Sequence, residues 1–535
     1  MAGRQRSLTG FIGLFLAILV LLLYNGCGFA AGRVKQETAK ILEDCSVLGK
    51  KAVFTVVIIF LMAASALADK YSGGTGEPNN PYRIETPNDL NDIGNHPEDF
   101  NDCFILVNDI NMAGFTYTTA LIAPDINDSS GGFQGTSFTG IFDGNYCSIS
   151  NLTIDTAGAD NDFLGLFGRI EVPGQVKNLG IEDVSITGGD NSYLVGGLCG
   201  ENRGGSISNC YAAGSVSGSY YLGGLCGAGF GSISNSYATG SVTGDDDFGG
   251  LSGVNAGTIS NCYATGSVTG GDDSYCLGGL CGATFGSINN CYATGSVTGG
   301  NALGGLCGYN RNGTISNCYA TGSVTGGDDS LQLGGLCGGI FSGTISNCYA
   351  AGSVSGSYYL GGLCGYNSRS TISNCYEAGS VSGDSNVGGL VGYDDSGSYT
   401  YSFWNIEISP DVNGIGNAND PNVIGKTTAE MQTESTFAGA GWDFVDETVN
   451  GPNDIWRMCI DGVDYPKLWW EFVTGDFVCP DGVNFIDYSH LAGHWQDSNC
   501  GDANDCDRTD VDFSGTVDWG DLKIFCDHWL EGASY

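Results

Sequence analysis

Asp510, Asp512, Ser514, Thr516, Asp518 and Asp521 stand at positions 1, 3, 5, 7, 9 and 12 of one stretch, DVDFSGTVDWGD, with Gly515 at position 6. Hard divalent cations take oxygen ligands. A loop that returns an oxygen at each of those positions, the seventh through its backbone carbonyl, can wrap one Ca2+. Glycine at position 6 makes the sharp turn that closes the loop. The final acid is Asp where such loops usually carry Glu. The chemistry this spacing serves is structural binding of a cation.

A second copy lies 34 residues earlier, where Asp487, His494 and Trp495 match Asp521, His528 and Trp529. Its loop, 476–487, has no D-x-D, and Gly482 falls out of step with Asp487. Asp481, Asn484 and Asp487 are therefore a weaker candidate metal set. Two such loops, each leading into a predicted helix, resemble dockerins. The resemblance implies a small α-helical domain, structural Ca2+ and a cohesin-like partner. His490 and His494 sit one helical turn apart, a spacing that can serve Zn2+, but no third ligand is evident and they read as exposed helix residues. Cys479, Cys500, Cys506 and Cys526 are expected to staple the domain, with three connectivities open.

Other catalytic constellations are sparse. The four histidines are His96, His490, His494 and His528, and HExxH is absent. Between Gly196 and Gly392 the only bases are Arg203, Arg311 and Arg369. Glycoside hydrolysis needs two carboxylates roughly 5–10 Å apart in a cleft. The acids available, Asp245 to Asp247, Asp272-Asp273 and Asp328-Asp329, fall in turns and read first as solvated residues, with Ca2+ as the alternative.

The elements that must position these residues announce themselves as a repeat. Gly-Gly-Leu begins at Gly196, Gly223, Gly249, Gly278, Gly304, Gly334, Gly361 and Gly388, in steps of 26 to 30 residues. One copy reads GGLCGYNRNGTISNCYATGSVTG, from Gly304 to Gly326. Leucine, isoleucine and valine columns recur in each copy, and the Ile-to-Val spacing is always 9 residues. β-branched residues favour strands, and Gly and Asn permit tight corners. A period this size with no 3.6-residue pattern predicts a parallel β-solenoid with three short strands per turn, rungs ~4.8 Å apart. Asparagines from Asn151 to Asn374 hold one place and are expected to form an amide ladder. Tyr211 to Tyr376 form another column, read as structural stacking, with sugar binding as the alternative. The motif resembles the GLUG repeat of bacterial surface proteins, found in some adhesin-like and IgA-peptidase-like chains. That resemblance implies a β-helix-like stalk and no reaction.

Two cysteine columns run through the repeats. Pairing each cysteine after Asn with the next cysteine after Leu sets Ser236 opposite Ser252, so that both cysteines of one bridge are lost together. That rule gives Cys210–Cys226, Cys262–Cys281, Cys291–Cys307, Cys318–Cys337 and Cys348–Cys364 as disulfide candidates. Two ladders of buried thiols, packing as small apolar groups, are the alternative. No histidine lies near to activate them as nucleophiles.

The 535 residues carry 59 acids against 19 Lys and Arg, a formal charge of −40. Nucleic-acid binding needs the opposite field. An apolar run from Val53 to Ala68 follows Lys50-Lys51 and ends in ASALADK, the grammar of an export signal cleaved before Asp69. A second run, Phe11 to Leu23, offers membrane association. Twenty-two cysteines in an exported chain favour disulfides. The expected order is an export region at 1–68, a lead-in and cap at 69–137, an all-β, right-handed parallel solenoid at 138–398, last rungs and a Trp-rich cap at 399–475, and the dockerin-like domain at 476–535. The expected role is a secreted or cell-surface interaction protein. Its solenoid would contact glycans or a host or matrix surface, and its tail would dock to a cohesin-like partner. A polysaccharide lyase or glycoside hydrolase on a β-helix is the alternative.

Overall fold

The computed structural model describes residues 70–127, 132–445, 450, 454–472, 474–479, 482–498, 500, 506–512 and 514–529. Asp481 and both N-terminal apolar runs lie outside them. Residues 71–535 form a compact unit of their own.

The isoleucine column is the clearest face. Twelve parallel strands stack in order from Tyr82–Ile84, Cys103–Leu106 and Ile141–Asp143 to Ser398–Thr400. Register does not slip: Ile207, Ile233, Ile259, Ile288, Ile315, Ile345 and Ile372 lie over one another. Each is at most 1% exposed. Burying such a side chain contributes about 1.5–3 kcal/mol, and every rung repeats the gain. The ladder begins at Tyr82, well before the Gly-Gly-Leu period. Ile84, Phe104 and Phe142 fill the core there without glycine punctuation.

A turn contains five short strands, not three. In the copy from Gly304 they are Asn301–Gly304, Cys307–Arg311, Thr314–Ser316, Tyr319–Ala320 and Val324–Gly326. Leu306 sits buried at the bend between the first two. Glycine is required at that bend by close approach. A Cβ on Gly304 would meet the Cys307 carbonyl oxygen, and one on Gly305 would meet the Gly335 carbonyl oxygen of the next rung.

The asparagine corner turns through left-handed backbone, φ +51° at Asn317, which Asn tolerates better than most residues. The amides form the expected ladder. Asn290 Nδ2 donates to Asn261 Oδ1 at 3.2 Å, Asn317 to Asn290 at 3.3 Å and Asn347 to Asn317 at 3.2 Å.

Helix α1 (Pro87–Asn95) starts in a Thr86–Asp89 capping box and buries Leu90 and Ile93 into the same core as the first strands. Past Ser398–Thr400, strands Ser402–Asn405 and Val423–Lys426 continue the parallel pairing. Helices α2 (Thr428–Met431) and α3 (Glu434–Ala438) follow, then an antiparallel pair, Trp456–Arg457 with Lys467–Leu468. This flap folds back along the tyrosine face. Trp442, Trp456 and Phe437 form a buried cluster with Tyr349, Tyr376 and Phe403. Two further helices, α4 (Phe485–Gly493) and α5 (Trp519–Asp527), share a separate small core of Phe477, Val483, Leu491, Val517 and Phe525.

Candidate functional site: an acidic loop, thiol ladders and a tyrosine face

The 34-residue period of the tail is kept in space. Asp521 accepts from the backbone N–H of Asp512 at 3.1 Å and of Asp518 at 2.7 Å. Asp487 accepts from Val478 at 2.8 Å and Asn484 at 3.0 Å, the same offsets. Asn484 and Asp518 each cap the helix that follows, α4 and α5. In the second loop the Asp510 carboxylate takes the N–H groups of Ser514 at 3.0 Å and Gly515 at 2.8 Å, and Gly515 turns at φ +87°. Ligand oxygens of Asp510, Asp512 and Asp521 lie within 4.8 Å of one another. Burial pushes the Asp510 carboxyl up, and the charges of Asp521 and Asp512 push the same way, a repulsion that a divalent cation would relieve. The donor set is all oxygen and the turn is tight, so these residues fit Ca2+.

The rest of the predicted set is less gathered. Ser514 Oγ donates to the Thr516 carbonyl at 3.1 Å, and Asp518 serves as the helix cap. The first loop has Val478 and Pro480 where the second has Asp512 and Ser514. Asn484 and Asp487 hold their helix, and among the described residues no trio of acids assembles there.

The cysteines depart from expectation. Cys479 pairs with Cys459, tying the tail to the flap, and Cys500 pairs with Cys506, while Cys526 is free and exposed. Cys210, Cys226, Cys262, Cys281, Cys291, Cys307, Cys318, Cys337, Cys348 and Cys364 are all unbonded. Each column stacks on itself: Cys281, Cys307, Cys337 and Cys364 are direct partners in successive rungs. The paired loss at Ser236 and Ser252 has another cause. From Cys210 to Cys375 each side chain of the column after Asn donates to a carbonyl two residues back, and from Ser252 to Cys364 each of the column after Leu donates to one two residues on. Cys262 reaches Ser260 at 3.1 Å and Ser236 reaches Ser234 at 2.7 Å. Cys281 reaches Ala283 at 3.3 Å and Ser252 reaches Val254 at 3.0 Å. A hydroxyl performs that task at least as well as a thiol. Burial pushes the thiols of Cys199, Cys262, Cys281, Cys291 and Cys348 well above the usual range, while against their burial Cys307 and Cys318, each hydrogen-bonded to two neighbouring thiols, are drawn down to about 5; all are buried in the stack with no histidine in the repeats, which is not the setting of a reactive cysteine.

The tyrosine column is a face-to-face ladder. Successive rings from Tyr211 to Tyr376 lie 4.6–5.0 Å apart, within 8° of parallel. Each ring therefore covers its neighbour's face, and stacking on a sugar would find mostly edges. The flap covers the later rungs. Trp470 lies 5.7 Å from the Tyr319 ring, Tyr349 donates to Glu471 at 2.8 Å, and Tyr376 donates to the Pro466 carbonyl at 2.6 Å. Burial pushes the Glu471 carboxyl up to about 7.

Two further acidic features were poorly legible in the sequence. Glu201 is buried between Arg169, at 2.9 Å, and Arg203, at 3.5 Å. Burial raises its carboxyl while the two guanidiniums draw it down. Both oxygens are committed to those cations. A cavity of about 480 Å3 crosses four rungs at 188–190, 217–219, 243–245 and 269–271, with Asp190 and Asp245 on its walls. It lies at the corner where the repeat spacing varies, and only Asp245 was singled out beforehand.

Comparison with known proteins agrees with the repeat. The family model for the GLUG motif matches residues 191–217, 218–243, 247–269, 273–298, 299–325, 329–355 and 356–382. Halomucin of Haloquadratum walsbyi is 34% identical over 171 residues, 30% of this chain and 2% of that protein. A candidate Gly-rich membrane protein of Evansella cellulosilytica is 33% identical over 153 residues, 28% of this chain and 17% of that one. The chain thus spans a small part of either relative. Among solved structures, a candidate immunoglobulin A1 protease from Bacteroides ovatus shares 20% identity, covering 75% of this chain and 95% of that one at a TM-score of 0.38. An IgA1 protease shares 16%, covering 54% and 21% at a TM-score of 0.30. At those scores neither likeness bears on function. Among the described residues no helix is long and apolar enough to cross a membrane. Residues 191–382 of this chain are a tandem array of GLUG motifs, wound as successive turns of a parallel β-solenoid.

Proposed function

We propose that this chain is a secreted or cell-surface interaction protein, a GLUG solenoid that contacts glycans or another surface and carries a dockerin-like tail organised by Ca2+. The observation that carries the reading is the tail. Asp510, Asp512 and Asp521 converge within 4.8 Å, and the loops and helices repeat at a fixed offset. Phe485 and Trp519 occupy equivalent first positions of α4 and α5 and are 76% and 75% exposed. Paired exposed aromatics of that kind suit a docking surface for a cohesin-like partner. The solenoid supplies length and repeated faces, and the −40 charge of the whole chain disfavours nucleic acid. The test is titration with Ca2+ and EDTA, followed by hydrogen exchange. Chelation should raise exchange at 506–527 and leave 206–400 unchanged. Equal protection of the tail with and without Ca2+ would overturn the calcium-organised tail.

The cavity with Asp190 and Asp245 on its walls favours one rival, a hydrolase or lyase on the solenoid. Turnover of a polysaccharide abolished by Asp190→Asn or Asp245→Asn would establish it in place of the binding role.

A further inference from the structure

The strand that leads into each Gly-Gly-Leu bend carries a column whose chemistry changes within three rungs. In register it runs Tyr193, Tyr220, Asp246, Tyr275 and Asn301. A carboxylate thus stands between two tyrosines. Asp245 to Asp247 do not lie in a turn, as the sequence suggested, but inside the strand Ser241–Gly249. The next position of the same strands is Tyr221, Asp247 and Cys276, held in left-handed backbone at φ +57°, +54° and +60°. Tyr220, Tyr221 and Tyr275 are 39%, 38% and 42% exposed.

These rings do not cover one another. Among the described residues Tyr220 and Tyr221 make no ring contact, and Tyr275 makes one, with Tyr309 at 6.5 Å and 47°. Tyr309 belongs to the following rung, so the side of Tyr275 toward Asp246 stays uncovered by another ring. Tyr220 and Tyr275 are two rungs apart, ~10 Å. An aspartate side chain ends well short of a tyrosine ring. The space above the Asp246 carboxylate is therefore flanked by rings, and its centre lies about 5 Å from each rung, within the ~6 Å over which a cation is drawn to an aromatic face.

The notch is negative and unneutralised. Burial pushes the Asp247 carboxyl up to about 6 against a hydrogen bond from Cys276, and the Asp246 charge adds to the rise. Burial, then the charges of Asp247 and Asp246, push the Tyr221 phenol up. Among the described residues no base forms an ion pair with either acid. Arg169 and Arg203 are paired with Glu201. Arg311 stands two rungs from Asp246, in register with Phe341. A cation seated between the tyrosines would relieve the repulsion between the two carboxylates. The rings select among cations. A hydrated metal ion gains little from a phenol face, whereas an alkylated ammonium carries a diffuse charge and methyl groups that pack on it.

We infer that Tyr220, Tyr221, Asp246, Asp247 and Tyr275 form a binding notch for a quaternary ammonium group. This goes beyond the proposed surface-contact role and does not depend on it.

The test is ligand-observed nuclear magnetic resonance on the full chain, with Ca2+ present throughout, following saturation transfer to the N-methyl protons of choline and of an acetylated trimethyllysine amide. The inference expects saturable binding of at least one, and at least about tenfold weaker binding of dimethylbutanol, the neutral carbon isostere of choline. Choline alone assigns a free solute, the trimethyllysine probe alone assigns a side chain of a partner, and both together assign the shared headgroup; each supports the notch. Asp246→Asn, which keeps the shape, should weaken binding about fivefold or more, and Tyr220→Leu and Tyr275→Leu about two- to fivefold each. Asp328→Asn, an exposed acid at another corner, should not change it. Unchanged far-UV circular dichroism checks that the variants fold. No saturable binding of either cation, or equal binding of dimethylbutanol, overturns the inference. Loss with Asp246→Asn but with neither tyrosine variant marks a bare acidic surface and overturns the aromatic notch, and binding unchanged by all three variants places the site elsewhere.

Discussion

Cys318 donates its thiol hydrogen to the Ser316 carbonyl at 3.0 Å, and its own backbone N–H points at the Cys348 sulfur at 3.4 Å. That pair of roles explains why the column accepts serine and how its thiols stay free. Cys318→Ser should therefore change stability by less than about 0.5 kcal/mol, whereas Cys318→Ala, which leaves the Ser316 carbonyl only the Asn290 N–H as donor, should cost roughly 1 kcal/mol. Denaturing alkylation without reductant should label all ten proposed bridge cysteines, read by peptide mass spectrometry. Glu377 is the opposite case. It occupies the rung position of Ala350 yet is buried, with Oε2 unbonded. Burial pushes its carboxyl well up. A raised folded-state pKa means its contribution is fully present below the unfolded value, about 4.3, and is lost as pH rises through the folded one. Glu377→Ala should thus raise the melting temperature at pH 7.5 and much less at pH 4. An equal shift at both would contradict this account of the residue.

At the scale of elements, the flap is held by a few contacts to the tyrosine ladder, and Glu471 is the one that titrates. Tyr349 donates to it, the Leu468 N–H donates at 2.8 Å, and Lys467 lies near enough to draw it down. Its pKa is raised to about 7 in the fold, so docking is strongest in acid and weakens as pH climbs through neutrality. Tryptophan emission should shift red across that range, and Glu471→Gln should abolish the shift. Tyr349→Phe leaves the carboxylate short of a donor and should loosen the flap by about 1–3 kcal/mol. None of this was legible beforehand, because the flap has no period and its partners, Tyr349 and Glu471, are 122 residues apart. The isoleucine and asparagine columns were legible because one physical demand recurs every rung. The gathering of Asp510, Asp512 and Asp521 was legible because their spacing follows the fixed pattern of an oxygen-donor loop. The five-strand turn was missed because the Leu306 bend depends on backbone contact with the next rung, which composition does not report.

For the whole molecule, everything follows from like residues lying directly over one another, so that each copy buries its core only against its neighbours. The most direct measurement is a pulsed electron-resonance distance between nitroxides on ketone-bearing residues at Thr243 and Ser382. Both positions are exposed, and they are linked by five in-register steps through Thr269, Thr298, Thr325 and Ser355. Five rungs of ~4.8 Å predict one narrow distribution near 24 Å, widened only by the label arms. A broad distribution, or a mean beyond about twice that value, would contradict a continuous stack.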